Sequence, residues 1–289
     1  MGKYVYNKDF FEKIDTEAKA YWLGFLYADG CINRIYRGEK VKAMDLELGL
    51  ARIDEDHLYK FLKDLESNIE VKRKTNKYKG KTYESSRVHV CCTKMCRDLI
   101  KLGCTPQKSL DIVFPSNELV PENLIKHFIR GYFDGDGCIS PSNQCNTIIC
   151  NIVGTKNFLE HVCEYLHKNE IINFIPKIYK KGNAFEVFFH GNENNKKFLS
   201  WLYDDAMVYL DRKYKKYINY YENNEKRIRS NKANGVTKVG VYYNKRTDRY
   251  IATIYIDGKR KQIGSFKSEE EAIKARIDAE KLKNSKVTV

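Results

Sequence analysis

Two aspartates carry the chemistry this sequence offers. Asp29 closes the stretch Trp22-Leu23-Gly24-Phe25-Leu26-Tyr27-Ala28-Asp29-Gly30, and Asp136 closes Ile129-Arg130-Gly131-Tyr132-Phe133-Asp134-Gly135-Asp136-Gly137. Aligned without a gap, the copies share Gly24 with Gly131 and the run Asp-Gly-Cys-Ile at 29–32 and 136–139, and position seven is small in both, Ala28 and Gly135. A carboxylate at a helix C-terminus faces the negative end of the macrodipole, so two such ends set side by side repel. A divalent cation held between Asp29 and Asp136, with Gly30 and Gly137 beside them, would relieve that repulsion, and oxygen ligands suit Mg2+ (or Mn2+). A blander reading is that Asp-Gly ends a helix and opens a hairpin, as it often does. Two gap-free copies on apolar, small-residue stretches weigh against it.

Positioning two such acids requires two helices that touch. Gly24 and Ala28, like Gly131 and Gly135, stand at i and i+4 on one helix face, from which nothing projects, so the helices can approach backbone to backbone. The glycine after each aspartate suits a left-handed C-terminal cap. Beyond the motifs the pattern continues to repeat, with an offset of 107 residues between the two aspartates. Thr16 or Asp15 starts the first helix, and Cys31–Tyr36 and Met44–Leu48 read as a hairpin. Leu58, Phe61, Leu62 and Leu65 stripe the next helix. Strands follow near Glu70–Lys74 and Ser86–Cys92, joined by a basic loop with Lys77, Lys79 and Lys81, and Met95–Leu102 closes the half. After Asp136 the same order returns, with Thr155 capping a helix striped by Phe158, Leu159, Val162 and Leu166. The expected fold class is therefore α+β: two pseudo-symmetric αββαββα halves, 1–105 and 106–222.

Both motif copies resemble the LAGLIDADG motif of homing endonucleases in its single-chain, two-motif form. The resemblance implies two sheets forming a DNA-binding saddle over the major groove, with the motif helices meeting at its centre. It also implies that Asp29 and Asp136, at the eighth motif position, are the metal-binding acids. Asp134 stands at the sixth position, where the other copy has Tyr27, and so is not a paired ligand. Family members add basic or amide residues around the site, for which Lys74 and Lys180 are candidates. Lys108 and Lys213, each a few residues past a half's last helix, are candidate phosphate clamps.

Composition agrees with a polyanionic partner. The chain has 289 residues, a formal charge of +14 and a pI near 9.2, which favours nucleic acid over membrane. No apolar run approaches a spanning helix, and the N-terminus has no signal core. Nine cysteines without a secretion signal read as reduced thiols of a soluble intracellular protein, from a bacterial or phage cytoplasm or an organelle. Cys91, Cys92, Cys96 and Cys104 cluster without the C-x-x-C pair a structural zinc favours. The six histidines form no ligand spacing and read as helix surface or satisfied strand positions.

From 223 to 238 the chain is polar and basic and reads as a linker. The last segment, 239–289, reads as a three-stranded sheet on one helix, with Arg249–Ile256, an Asp257-Gly258 turn, Lys259–Phe266, and a helix capped by Ser268. Gly240-Val241-Tyr242-Tyr243, Ala252-x-Ile254, Gly264-x-Phe266 and Glu270-Glu271-Ala272 resemble the plant ethylene-response-factor DNA-binding domain. Tyr250 stands where that family has a tryptophan.

The expected function is metal-dependent cleavage of double-stranded DNA by a monomer at a long asymmetric site. Candidate DNA-binding residues are Arg34, Arg37, Lys72, Arg73, Lys108, Lys177 and Lys181 on the two halves, and Arg246, Arg249, Lys259, Arg260 and Lys261 in the tail. An intron RNA maturase or a non-cutting DNA-binding regulator could use the same scaffold. Paired acids favour cleavage, and a DNA-reading tail favours DNA over RNA.

Overall fold

Helix-to-helix contact through glycine organises the first of two units. The computed structural model describes residues 4–106, 111–141, 148–220, 236–238, 240–256 and 259–285. Its contacts divide the chain into Met1–Tyr217 and Ile218–Val289.

The first unit opens with α1 (Glu17–Asp29), started by Thr16, whose side chain accepts from the Lys19 amide. Then come β1 (Gly30–Arg37), β2 (Lys40–Ala51), α2 (Glu55–Asp64), β3 (Lys72–Tyr78), β4 (Lys81–Val90) and α3 (Thr93–Lys101). The order repeats in α4 (Ile125–Asp136), β5 (Gly137–Pro141), β6 (Ile148–Gly154), α5 (Lys156–Lys168), β7 (Ile178–Lys181), β8 (Ala184–Phe189) and α6 (Asn192–Tyr203). A further helix, α7, covers 211–220. Both sheets are antiparallel with matching strand orders, β1-β2-β4-β3 and β5-β6-β8-β7, so each half is αββαββα. Alternate strand residues face the helices: Leu46, Leu48, Val88 and Val90 in one half, Cys150, Ile152, Val187 and Phe189 in the other, all buried. The intervening residues form an open face on each sheet.

A Cβ at Gly24 would lie 2.0 Å from the Phe128 carbonyl oxygen, and one at Gly131 would lie 1.9 Å from that of Tyr21. The backbones of α1 and α4 therefore touch where side chains would stand. A polar knot locks this pair to the segment after α6. Arg130, fully buried, donates to Glu17 Oε1 at 2.5 Å, to Leu202 O at 3.1 Å and to Val208 O at 2.9 Å. Asp134 accepts from Tyr21 Oη at 2.8 Å, Tyr203 Oη at 2.6 Å and the Leu210 amide at 2.8 Å.

Several sequence expectations need correction. Gly30 and Gly137 do not adopt the left-handed cap; their φ values are −73° and −92°, both extended. Glycine is required there by space, because a Cβ at Gly30 would sit 2.7 Å from Leu26 O and one at Gly137 2.3 Å from Phe133 Cδ2. The basic loop at 77–81 is instead strand up to a two-residue turn at Lys79 and Gly80, both with positive φ (48° and 74°), as a type I′ hairpin demands. His57, expected on a helix surface, is 2% exposed and its Nε2 meets Tyr21 Oη at 2.9 Å. Burial pulls its pKa to about 3, so it is neutral.

The second unit carries β10 (Val241–Asn244), β11 (Arg249–Ile256) and β12 (Lys259–Phe266) packed on α8 (Glu269–Ser285), through a small core of Val241, Ala252 and Ala272. Ser268 Oγ accepts from the Glu271 amide at 3.2 Å. The sheet has a fourth, edge strand, β9 (Val236–Lys238), paired with β10, within the stretch read from sequence as linker. Most of that linker, Lys108 and the Asp257-Gly258 turn lie outside the described residues.

Candidate active site and nucleic-acid interface

Asp29 and Asp136 are the last residues of α1 and α4. Close packing carries through to these ends, because a Cβ placed on Gly135 would be 2.3 Å from Ala28 Cβ and 3.2 Å from Asp29 Oδ2. The Asp29 carboxylate thus stands against the last turn of the helix that bears Asp136. Tyr132 is buried, with its ring 4.2 Å from that of Phe158 and its hydroxyl donating to Val153 O at 2.8 Å, and lies within the field of both acids. Burial raises its phenol well above the usual range, and Asp136, by charge and hydrogen bond, and then Asp29 raise it further. Asp29 is exposed and Asp136 half-buried, so both face solvent where a phosphate could approach.

The donor set suits a hard cation in part. Among the described residues no group of three or more His, Cys, Asp or Glu could hold a metal, so a metal between the two helix ends would have no such side chains beyond the two carboxylates. Magnesium, which keeps several waters and is commonly held by one or two carboxylates plus substrate phosphate, fits that poverty of ligands. Gly137 is a weaker ligand candidate than the sequence implied, since its carbonyl already receives Lys213 Nζ at 2.5 Å.

Lys213 itself is not a phosphate clamp. It is 3% exposed, and its ammonium also donates to the carbonyls of Phe133 at 2.5 Å, Asp134 at 2.7 Å and Gly135 at 3.3 Å. A cation there satisfies the orphan carbonyls at the end of α4 and offsets its dipole. Burial pulls its pKa to about 8, against the opposing charge of Asp134 and, more weakly, Asp29. The sequence signal was present: Lys213 falls on the apolar stripe of α7 between the buried Leu210 and Tyr217. Asp134 stays out of the site, as expected, in its buried knot.

Strand register sorts the other candidates. Lys72 pairs with Arg87 and Lys74 with Ser85, on the open face of the first sheet. Arg73 pairs with buried Ser86 on the helix side, where its guanidinium bonds Glu55 Oε1 at 2.5 Å and Oε2 at 2.9 Å, so it is not on the open face with its neighbours. In the second half, Lys181 pairs with Ala184 on the open face and Lys180 with Phe185 on the helix side. Lys181, rather than Lys180, therefore corresponds to Lys74. Lys181 also pairs with Glu186 at 2.6 Å, and the Lys177 ammonium lies 5.6 Å from the Tyr179 ring centre. Arg34 stands opposite Met44, and Arg37 opposite Lys40 at the hairpin end; both are exposed. In the second unit, Arg246 lies in the turn before β11, Arg249 opposite Asn244, and Arg260 over the Tyr242 ring at 5.3 Å; Lys261 is exposed and Lys259 begins β12.

Residues 123–202 match the LAGLIDADG-like domain. This match covers the second half from just before α4 to the end of α6, including Asp136. No curated protein matches the sequence. Among solved structures, the homing endonuclease I-WcaI bound to its DNA recognition sequence is 11% identical with a TM-score of 0.49, over 70% of this chain and 88% of that one. The LAGLIDADG homing endonuclease I-GzeII in complex with its DNA target is 11% identical with a TM-score of 0.47, over 76% and 93%. Full-length DUF199/WhiA from Thermatoga maritima is 16% identical with a TM-score of 0.41, over 79% and 74%. No described helix is long and apolar enough to cross a membrane.

Proposed function

We propose that this protein is a site-specific, metal-dependent endonuclease of double-stranded DNA. One observation carries the reading: two acids 107 residues apart in sequence end two helices whose backbones touch, with the Asp29 carboxylate against the final turn before Asp136. Nothing in the packing of a helix pair requires carboxylates at that point, and their mutual repulsion opposes it. The match of residues 123–202 to a LAGLIDADG-like domain supports the same reading.

Asp29 and Asp136 would hold Mg2+ or Mn2+. When bound, the metal supplies polarisation of a phosphoryl oxygen and activation of water. Lys213 holds the end of α4, and so the Asp136 backbone, in place. Lys72 and Lys74 on one open face, with Lys177 just before the edge strand β7 and Lys181 within it, would neutralise phosphates, while other open-face residues meet base edges. The second unit adds a DNA contact through Arg249 and Arg260. Because one chain supplies both acids, the active form is a monomer on an asymmetric site.

Selection of bound duplexes from a random pool, followed by incubation of the recovered site with Mg2+, tests the reading. Cleavage of both strands is the expected outcome. Tight binding without cutting at any divalent-metal concentration would make the protein a DNA-binding regulator. Preferential binding of structured intron RNA would make it a maturase.

A further inference from the structure

The open faces of the two sheets correspond residue by residue, and at four positions the second carries an apolar or aromatic group where the first does not. In the first sheet the register aligns Cys31 with Glu47 and His89, Asn33 with Asp45, and Gly49 with Arg87 and Lys72. In the second it aligns Cys138 with Asn151 and Phe188, Ser140 with Ile149, and Val153 with Glu186 and Tyr179. Asp45 thus corresponds to Ile149, Gly49 to Val153, His89 to Phe188 and Lys72 to Tyr179.

The first face is a set of hydrogen-bonding groups already organised among themselves. His89 Nδ1 is 3.3 Å from Asp45 Oδ2, and Arg87 donates to Glu47 Oε1 at 3.1 Å. The second face keeps polar groups at Ser140, Asn151 and Glu186, the last paired with Lys181, but presents apolar groups away from the core at the four corresponding positions. Ile149, Val153 and Phe188 are half-buried, Tyr179 is 44% exposed, and the Tyr179 and Phe188 ring centres are 6.2 Å apart. None of these residues packs in the sheet's core, which Cys150, Ile152, Val187 and Phe189 form on the other side.

An apolar stripe edged by Lys177 and Lys181, on a chain of charge +14, suits a polyanion that offers apolar groups inside its groove. The major groove of B-DNA does so through the thymine 5-methyl group, which pairs with apolar side chains. A-form RNA does not, because side chains cannot enter its deep, narrow major groove. We infer that the second half selects a thymine-rich half-site through methyl contacts with Ile149, Val153 and Phe188, whereas the first half reads its half-site by hydrogen bonds from Asn33, Glu47, Arg87 and His89, the last held by the buried Asp45. This inference rests on the DNA-binding reading above.

The test uses the full-length protein and its selected duplex, with deoxyuridine replacing thymine in one half-site at a time. Each methyl removed from the half-site under the second sheet should weaken binding about four-fold, the value of one buried methyl group. The same replacement in the other half-site should change little. Ile149→Ser and Phe188→Ser should each lose the part of the thymine preference that their own contact supplies, and the triple variant Ile149→Ser, Val153→Ser, Phe188→Ser should bind thymine and deoxyuridine duplexes equally. Equal losses in both half-sites would overturn the inference while leaving DNA recognition intact, as would a loss that persists undiminished in the serine variants. A second copy of the chain covering this face, seen as a dimer in sedimentation with no deoxyuridine effect, would overturn it too. Failure to recover any selected duplex would instead strike the endonuclease reading itself.

Discussion

Lys213 donates to the Phe133 carbonyl oxygen in the second half, at the position where the first half has the Cys104 thiol 3.6 Å from Leu26 O. Equivalent carbonyls one turn before each motif aspartate are thus met by an ammonium on one side and a thiol on the other. The ammonium is buried, and burial brings its pKa to about 8, against about 10.4 for a lysine in the unfolded chain. Between those values the unfolded chain holds more protons, so this residue makes stability rise with pH over that window. Urea midpoints between pH 7.5 and 10.5 should show the rise, and Lys213→Met should flatten it.

Glycine at the helix crossing is a matter of space. Gly24→Ala and Gly131→Ala would each drive a methyl to about 2 Å from a backbone oxygen of the partner helix, where no flexible side chain can yield. Each should cost roughly 3 kcal/mol or more by overpacking. Gly38, in the first hairpin, has φ of 63° and nothing within 4 Å of its missing Cβ. Gly38→Ala should cost only about 1 kcal/mol, for the left-handed backbone alone. Denaturant melts of the three variants separate the two mechanisms.

Glu55 anchors β3 to α2. The Arg73 guanidinium, then the Ser86 hydroxyl, hold its carboxyl down to about 2, below the roughly 4.3 of an unfolded glutamate. Its contribution is present above about pH 4.3 and is lost as pH falls towards 2. Glu55→Gln should therefore flatten the acid limb of the stability profile in that window, with little change in slope above pH 5.

Much of this architecture was readable because the motif is duplicated. Asp29 and Asp136, with Gly24 and Gly131, announced paired helices, and period-two stretches such as Met44–Leu48 announced the sheets. What escaped the sequence has physical causes. The tips of β3 and β4 are exposed on both faces and carry no hydrophobic alternation, so strand there looks like loop. Arg73 and Lys180 differ from Lys72 and Lys181 only by one step along a strand, and that step turns a side chain to the opposite face. Lys213 sits on a buried helical stripe, where its charge argued for the surface until the carbonyls of α4 gave it a place. Gly30 and Gly137 looked like left-handed caps, but their role is to let the chain pass close over Leu26 and Phe133.

Strand-resolved cleavage of a selected duplex in Mg2+, comparing the parent with Asp29→Asn and Asp136→Asn, bears most directly on the paired acids. The amide variants should keep the parent's affinity for the duplex within a few-fold and lose at least about 100-fold in cutting rate. Cleavage by either variant at the parent's rate would show that the meeting of these two carboxylates has no part in the chemistry.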